Sequence, residues 1–303
     1  MTGETAAAGL VLLDKPKGYT SFKAAAVLRR IYGTKRVGHT GTLDPMATGV
    51  LPVLIGRATR LCSFVLESNK EYIADIRLGQ TTDTLDITGK ILSECTPDVS
   101  DDALNAAVKH FTGEYDQIPP MFSAISKNGV RMYELARRGI EVEREPRRVN
   151  IIESELLHRN GNDFKLRVLC SKGTYIRSLA DDIGKYLGCG AVMTELKRTR
   201  TAGFLISDCV SVEAVEGDRE KYLLSPETVV KHLRTAVLSD AQAVRFLNGA
   251  ALDINRVKSV SDPTDGELFR ARSGDRFLGL LEYSACSDEL SVKCVIDAKI
   301  GDF

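Results

Sequence analysis

An α+β fold with a mixed or antiparallel sheet is what this 303-residue sequence predicts, and three observations carry it. Stretches with period-two apolar alternation and stretches with helical spacing both recur along the chain. They do not alternate strictly, as a parallel βαβ array would require. The last ~65 residues read as short strands between Gly, Asp and Ser turns, a small β unit in its own right. The length suits one large domain plus that small one.

The elements follow in order. Residues 10–13 are a short apolar run ending in the turn Asp14-Lys15-Pro16-Lys17-Gly18, and read as a buried strand. Thr20 or Ser21 can cap the helix that follows; Ala24, Val27, Leu28 and Ile31 share one face, and Gly33 stops it. From Tyr72 the pattern has period two, so Tyr72, Ala74, Ile76 and Leu78 face one way. Ser100-Asp101-Asp102 opens a helix with Leu104, Ala107, Val108 and Phe111 inward. Residues 118–148 stand apart: Pro119-Pro120 opens them, Asn128-Gly129 turns them, and Arg is frequent. An arm inserted to reach a partner fits that segment, as does a plain surface hairpin-plus-helix. Phe164, Leu166, Val168 and Cys170 alternate in the next strand, and Ile176, Leu179, Ala180, Ile183 and Leu187 give helical spacing up to Gly188. A boundary is expected between Ser225-Pro226 and Ser239, dividing 1–234 from 235–303. Beyond it Ser239 caps a helix ending at Asn248-Gly249, and residues 268–271, 277–283 and 290–296 read as strands.

Composition narrows the function. No apolar run approaches the ~20 residues of a membrane span, and residues 1–9 lack the charged start and long apolar stretch of a signal peptide. Seven scattered cysteines without a C-x-x-C pair argue against zinc and a disulfide framework, so the reducing cytoplasm is the expected compartment. Four dispersed histidines suggest no metal site. Net charge is zero, but it is unevenly spread: residues 201–303 hold 12 Lys+Arg against 17 Asp+Glu, and the first 200 hold 29 against 24. Basic groups at Lys15/Lys17, Arg29/Arg30, Lys35/Arg36, Arg137/Arg138, Arg147/Arg148 and Lys197/Arg198/Arg200 cluster in that half. Any one of them can be a solvated face. Several flanking one site suit a polyanion, which is held through many phosphate contacts. Nothing demands more than a monomer, a protein partner or a cofactor.

The most informative stretch is Gly38-His39-Thr40-Gly41-Thr42-Leu43-Asp44-Pro45-Met46-Ala47-Thr48-Gly49-Val50-Leu51. It is built of turn formers and small residues, yet holds one carboxylate and one imidazole. Pro45 pushes Asp44 out of the α region, so Asp44 is expected on an extended, rigid piece of loop. An Asx turn is the plain reading of an Asp-Pro pair. A lone acid among glycines is also how a reactive group is shown to a ligand.

That stretch resembles the active-site motif of the TruB family of tRNA pseudouridine synthases. Other segments match in order: Leu12-Leu13-Asp14-Lys15-Pro16-Lys17-Gly18-Tyr19-Thr20-Ser21, then Lys70-Glu71-Tyr72, then Ser171-Lys172-Gly173-Thr174-Tyr175-Ile176-Arg177. The match runs from about residue 9 to 203 and resumes more weakly at the end. It implies a pseudouridine synthase catalytic domain, an RNA-gripping arm at 118–148, and a C-terminal PUA-like RNA-binding domain. It also implies a partner, the T-arm and elbow of tRNA, with uridine 55 as the target. Asp44 then maps to the nucleophile and Arg177 to its partner, an ion pair that lowers an aspartate's pKa at ~4–6 Å. Spacing alone puts Arg177 off the inward stripe of its helix. Tyr72 maps to a residue stacked on the target base that can accept its C5 proton; as sequence alone it is equally a core aromatic. Tyr175 and Leu196 map to walls of the uracil pocket, and His39 to a contact with the extruded nucleotide. Lys15, Arg60 and the run 197–200 are candidate phosphate contacts, although the Lys15-Pro16 pair can equally buttress the loop. Asp86, in Thr84-x-Asp86-x-x-Gly89, reads first as a turn holder.

Turning uridine into pseudouridine needs no redox change, donor or metal. It needs a nucleophile or base, a hold on the detached uracil, and exclusion of water. A carboxylate can attack the ribose C1′, act as a base through a glycal, or add to uracil C6; the sequence leaves all three open. Two rivals are weaker. An Asp-dependent phosphatase wants a second Asp where Met46 stands, and an apolar strand before its nucleophile where Thr34-Lys35-Arg36 stands. A non-catalytic tRNA-folding protein would have no need of Asp44, Tyr72 and Arg177 together.

Overall fold

Period-two and helical patterns resolve into two large sheets, two two-stranded ones and six α-helices among the residues the computed structural model describes, 8–65, 69–123, 125–127 and 129–297. The chain begins with β1 (Gly9–Lys15), α1 (Ser21–Ile31), β2 (Val37–His39), β3 (Thr48–Ile55), β4 (Lys70–Leu78), β5 (Gln80–Thr82) and β6 (Ile91–Glu94). It continues through α2 (Asp101–His110), β7 (Gly113–Gln117), β8 (Ser126–Lys127), β9 (Val130–Arg131), α3 (Met132–Arg137), β10 (Arg147–Asn160) and β11 (Asp163–Cys170). Next come α4 (Ile176–Tyr186), β12 (Ala191–Thr201), β13 (Phe204–Leu205) and α5 (Val212–Gly217). The last part holds β14 (Arg234–Val237), α6 (Asp240–Leu247), β15 (Leu252–Asp253), β16 (Leu268–Ser273), β17 (Arg276–Ser284) and β18 (Glu289–Val295).

The main sheet runs β1-β3-β12-β4-β11-β10-β7, with β2 on β3 and β13 on β12. It is antiparallel except where β12 meets β3, pairing Lys197 with Thr48 and Arg198 with Gly49 in parallel. The expected mixed sheet is therefore present. On β4 the alternation holds: Tyr72, Ala74, Ile76 and Leu78 are buried, and with β11, β12, α2 and α4 they form one core. A second core joins α1 and α5 to β1 and β3. The caps are those the sequence offers: the Thr20 hydroxyl accepts from Lys23 N–H, that of Ser100 from Ala103 N–H, and Ser239 with Gln242 closes a capping box.

Residues 118–146 emerge between paired strands, since β7 and β10 run antiparallel with Gln117 opposite Arg147. Within this insertion lie the short β8–β9 pair and α3. Asn128 of the expected Asn-Gly turn is outside the described residues.

The second sheet, β14-β16-β17-β18-β15, is covered by α6 over its own core of Phe246, Phe269, Leu278, Leu281 and neighbours. It does not stand free. Leu10, Leu12 and Leu54 of the main sheet share a further apolar cluster with Val229, Val230, Phe277 and Leu280.

Candidate active site

The loop between β2 and β3 carries Asp44 into the centre of the molecule. Residues 44–47 form a turn in which Ala47 N–H donates to the Asp44 carbonyl at 3.1 Å, with Pro45 at the position that pre-sets φ. The turn is closed by backbone, so the Asp44 carboxylate is free for other work. The loop is pinned from three sides. The Ser21 hydroxyl accepts from Leu43 N–H at 2.9 Å and lies 3.3 Å from the Leu43 carbonyl. Gly18 N–H donates to the Pro45 carbonyl at 2.8 Å. Arg198 reaches Val50 O at 2.9 Å, Thr42 O at 3.5 Å and Gly41 O at 3.4 Å. At Gly49, φ is +106° and a Cβ would lie 2.2 Å from the Arg198 carbonyl, so only glycine fits where β3 meets β12.

Arg177, in the first turn of α4, meets the carboxylate side-on: Nε lies 2.8 Å from Asp44 Oδ2 and Nη2 lies 3.0 Å from Oδ1. Two such parallel contacts are the strongest arrangement a guanidinium offers. The same group donates to Thr84 O at 3.0 Å and Phe122 O at 2.9 Å, and lies 3.8 Å from Asp86 Oδ2. Arg177 is off the apolar stripe of α4, as its spacing requires. It is nevertheless buried, because residues 84–86 and 122 cover that face. Asp86 is the turn holder expected: its Oδ1 accepts from Thr88 N–H at 3.0 Å and from the Thr84 hydroxyl at 2.9 Å.

The expected drop in the Asp44 pKa does not follow from the pair. Burial pushes the carboxyl up more than Arg177 pulls it down, and the neighbouring Asp86 adds to the upward push. Asp44 keeps 31% of its side chain open, enough for a ligand to reach it. Tyr72 is buried in the core that also holds Leu43, Met46, Ala47 and Leu196. Burial pushes its hydroxyl up to about 12, against the opposing pull of the Arg198 charge. Tyr175, half-buried, is raised as well by burial and feels both Arg177 and Asp44. His39, at the start of the loop, is held below its ordinary pKa by burial and the Arg198 charge, and is neutral at pH 7.

Asp44, Arg177, Tyr72, Tyr175 and Leu196 thus converge, and two expected phosphate contacts change character. Lys15 is fully buried, with Nζ donating to Pro16 O at 3.0 Å and Tyr19 O at 2.6 Å and lying 3.5 Å from Pro45 O. It supports the loop from below and meets no solvent. Burial lowers its pKa to about 8. Arg198 is likewise fully buried, a brace for the loop rather than part of a basic surface run. Arg60 stays exposed and donates to Val295 O at 2.8 Å beside the second sheet.

A test separates the two roles of Lys15. Each phosphate contact adds about 0.7–0.9 to the slope of log affinity against log salt. Lys15→Met should leave that slope unchanged in tRNA titrations while lowering turnover and Tm. A fall in slope of the size just given would restore the phosphate role.

Two residues of the site went unread in the sequence. Ser21 looked only like a helix cap. Gln117 is 1% exposed and bonds the Tyr175 backbone twice, yet no motif marks it.

Comparison with known proteins bears on this arrangement. The model described as TruB family pseudouridylate synthase (N terminal domain) matches residues 29–176, and that described as tRNA pseudouridylate synthase B C-terminal domain matches 177–239. Most of the second sheet lies beyond both. The tRNA pseudouridine synthase B of Azoarcus sp. (strain BH72) is 43% identical, covering 97% of this chain and 96% of that protein. The protein of the same name from Chromohalobacter salexigens is 40% identical over 92% of each. Among solved structures, a chain of an H/ACA RNP bound to a substrate RNA containing 2'-deoxyuridine superposes with a TM-score of 0.71 at 25% identity, covering 96% of this chain and 86% of that one. A chain of the archaeal box H/ACA sRNP Nop10-Cbf5 complex gives 0.69 at 28% identity, covering 96% and 87%.

Proposed function

Because this chain belongs to the TruB family of pseudouridylate synthases, we propose that it converts uridine 55 in the T-loop of tRNA to pseudouridine with Asp44 as nucleophile. Pseudouridylation of tRNA is the activity its relatives are named for. The observation that carries the finer reading is the side-on Asp44–Arg177 pair, in which the guanidinium is buried and the carboxylate stays open to a ligand.

The reaction is an isomerisation. The N1–C1′ bond breaks, uracil turns, C5 joins C1′, and the C5 proton is lost while N1 gains one. Arg177 fixes the Asp44 carboxylate in one rotamer and leaves each oxygen a further lone pair. Burial raises the Asp44 pKa, so the carboxylate is a stronger nucleophile than an exposed aspartate, and the Arg177 charge favours its ionised form. The target base is stacked in a folded T-loop and must be flipped to arrive here. His39 then contacts the extruded nucleotide as a neutral ring. Residues 118–146 act as the gripping arm, and 235–303 as a PUA-like RNA-binding module. In that module Arg270 and Arg272 are engaged by Glu227 and Arg276 by Asp297, so its hold on phosphate rests on other groups.

Tyr72 stacks on uracil and relays the C5 proton. With its hydroxyl pushed up to about 12 it is neutral near pH 7, so as it takes the C5 proton it releases its own to solvent, from which N1 takes the proton it gains. Tyr72→Phe should keep tRNA affinity while slowing tritium release from C5-labelled uridine by about 10²–10³-fold, within the range for a lost acid–base group. Release at the full rate removes the hydroxyl from the mechanism and leaves Tyr72 a wall.

A further inference from the structure

We propose that Gln117 is a positioning residue that sets the Arg177 guanidinium from the neck of the inserted arm; this rests on reading Asp44–Arg177 as the reaction centre. Gln117 is the last residue of β7, at the point where the arm leaves the sheet opposite Arg147. Its amide makes two of its three bonds to one residue. Oε1 accepts from Tyr175 N–H at 2.8 Å, and Nε2 donates to Tyr175 O at 3.1 Å and to the Tyr115 hydroxyl at 2.5 Å. It therefore grips both polar groups of one residue, as a neighbouring strand would.

That residue is the cap of α4. Tyr175 makes no side-chain cap bond, and its N–H is one that the helical ladder leaves without a partner. Gln117 supplies the missing acceptor from another element. Arg177 follows two residues later. The arm's root makes two further ties to the same turn: the Ser178 hydroxyl donates to Ile118 O at 2.9 Å, and Arg177 Nη2 to Phe122 O at 2.9 Å. The first turn of α4 is thus hung from residues 117–122, and Asp44 is held separately by its own loop. Gln117 bonds neither Asp44 nor Arg177 itself. Its effect passes through the backbone of residues 175–177.

The test is Gln117→Met, which keeps length and apolarity but bonds neither Tyr175 group, with full-length protein and T-arm transcripts labelled at uridine C5. Single-turnover tritium release should fall about 10²-fold, the penalty of a displaced catalytic group. Affinity for tRNA should stay within about two-fold, and the acid limb of the rate should move to higher pH as Arg177 loosens from Asp44. A folded Met variant with the wild-type rate and limb overturns the proposal, as does a loss found wholly in affinity. If that variant does not fold, Gln117→Glu decides. Its carboxylate repels Tyr175 O but its protonated acid can make both bonds, so relative turnover should recover on acidification. A pH-independent loss overturns the proposal. Arg177→Ala in the same assay separates the two readings: normal turnover there defeats the reading of the centre, whereas an inactive Arg177→Ala beside a normal Gln117→Met defeats only the role of Gln117.

Discussion

Asp44→Asn should reduce pseudouridine formation to background, at least about 10⁴-fold below wild type, the scale seen when a covalent nucleophile is removed. Asn keeps the shape of the side chain and one carbonyl oxygen for Arg177, but it has no charge and no nucleophilic carboxylate oxygen. The loop around it is held by Ser21, Lys15 and Arg198, none of which bonds the Asp44 carboxylate, so its path should survive. Binding should persist within a few-fold, because a tRNA is held mainly through phosphates distant from one aspartate. Tritium release from uridine C5 measures the chemistry, and a transcript with cytidine at the T-loop position controls for the site. Release that requires both Asp44 and that uridine supports nucleophile and position together. Release from the control keeps the enzyme but moves the target. Tight binding with no release by the wild type points to a tRNA-folding role instead.

Arg177→Ala should be as inactive and also less stable, by about 3–5 kcal/mol, the usual cost of leaving one member of a buried pair alone. The loss is larger than one ion pair because the guanidinium also occupies the Thr84 and Phe122 carbonyls and faces Asp86. Lysine cannot restore the arrangement, since one ammonium cannot span two carboxylate oxygens and two carbonyls. The pH dependence has a definite sign. Arg177 lowers a carboxyl that burial raises, so removing it raises the folded-state pKa of Asp44 further. An acid raised in this way costs stability only when ionised. The deficit of Arg177→Ala should therefore grow as pH rises through the new pKa and shrink below it. Chemical denaturation at several pH values checks this. A deficit that grows on acidification contradicts the account, and normal turnover contradicts the assignment of the pair.

The elements legible in the sequence were those whose faces differ. β4, β11, α1, α2 and α4 each bury one stripe against one core, so alternation or helical spacing revealed them. β12 did not show itself, because Lys197, Arg198 and Arg200 read as a basic run. β10 is interrupted by irregularities at Ile151/Glu153 and Leu156/His158, which blur its period. The motif around Asp44 read as turn throughout, although from Thr48 onward it is β3, a strand inside the sheet. Charged side chains misled for one reason. Lys and Arg are almost never fully buried unless paired, and Lys15 and Arg198 are satisfied by backbone carbonyls that only the fold brings near. Gln117 carried no signal at all, since its partner is 58 positions away.

The apolar cluster shared by the two sheets has a consequence for the order in which the chain is made. β1 is synthesised before any residue that covers it. Leu10 and Leu12 wait for Val229 and Val230, and then for Phe277 and Leu280, more than 200 positions later. Leu10 also exchanges backbone hydrogen bonds with Leu224. The strand that leads directly to the Lys15 brace beneath Asp44 is thus left half-clothed until the C-terminal sheet has left the ribosome. The loop around Asp44 therefore rests on a strand whose outer face is covered only once residues 277–280 have folded against it.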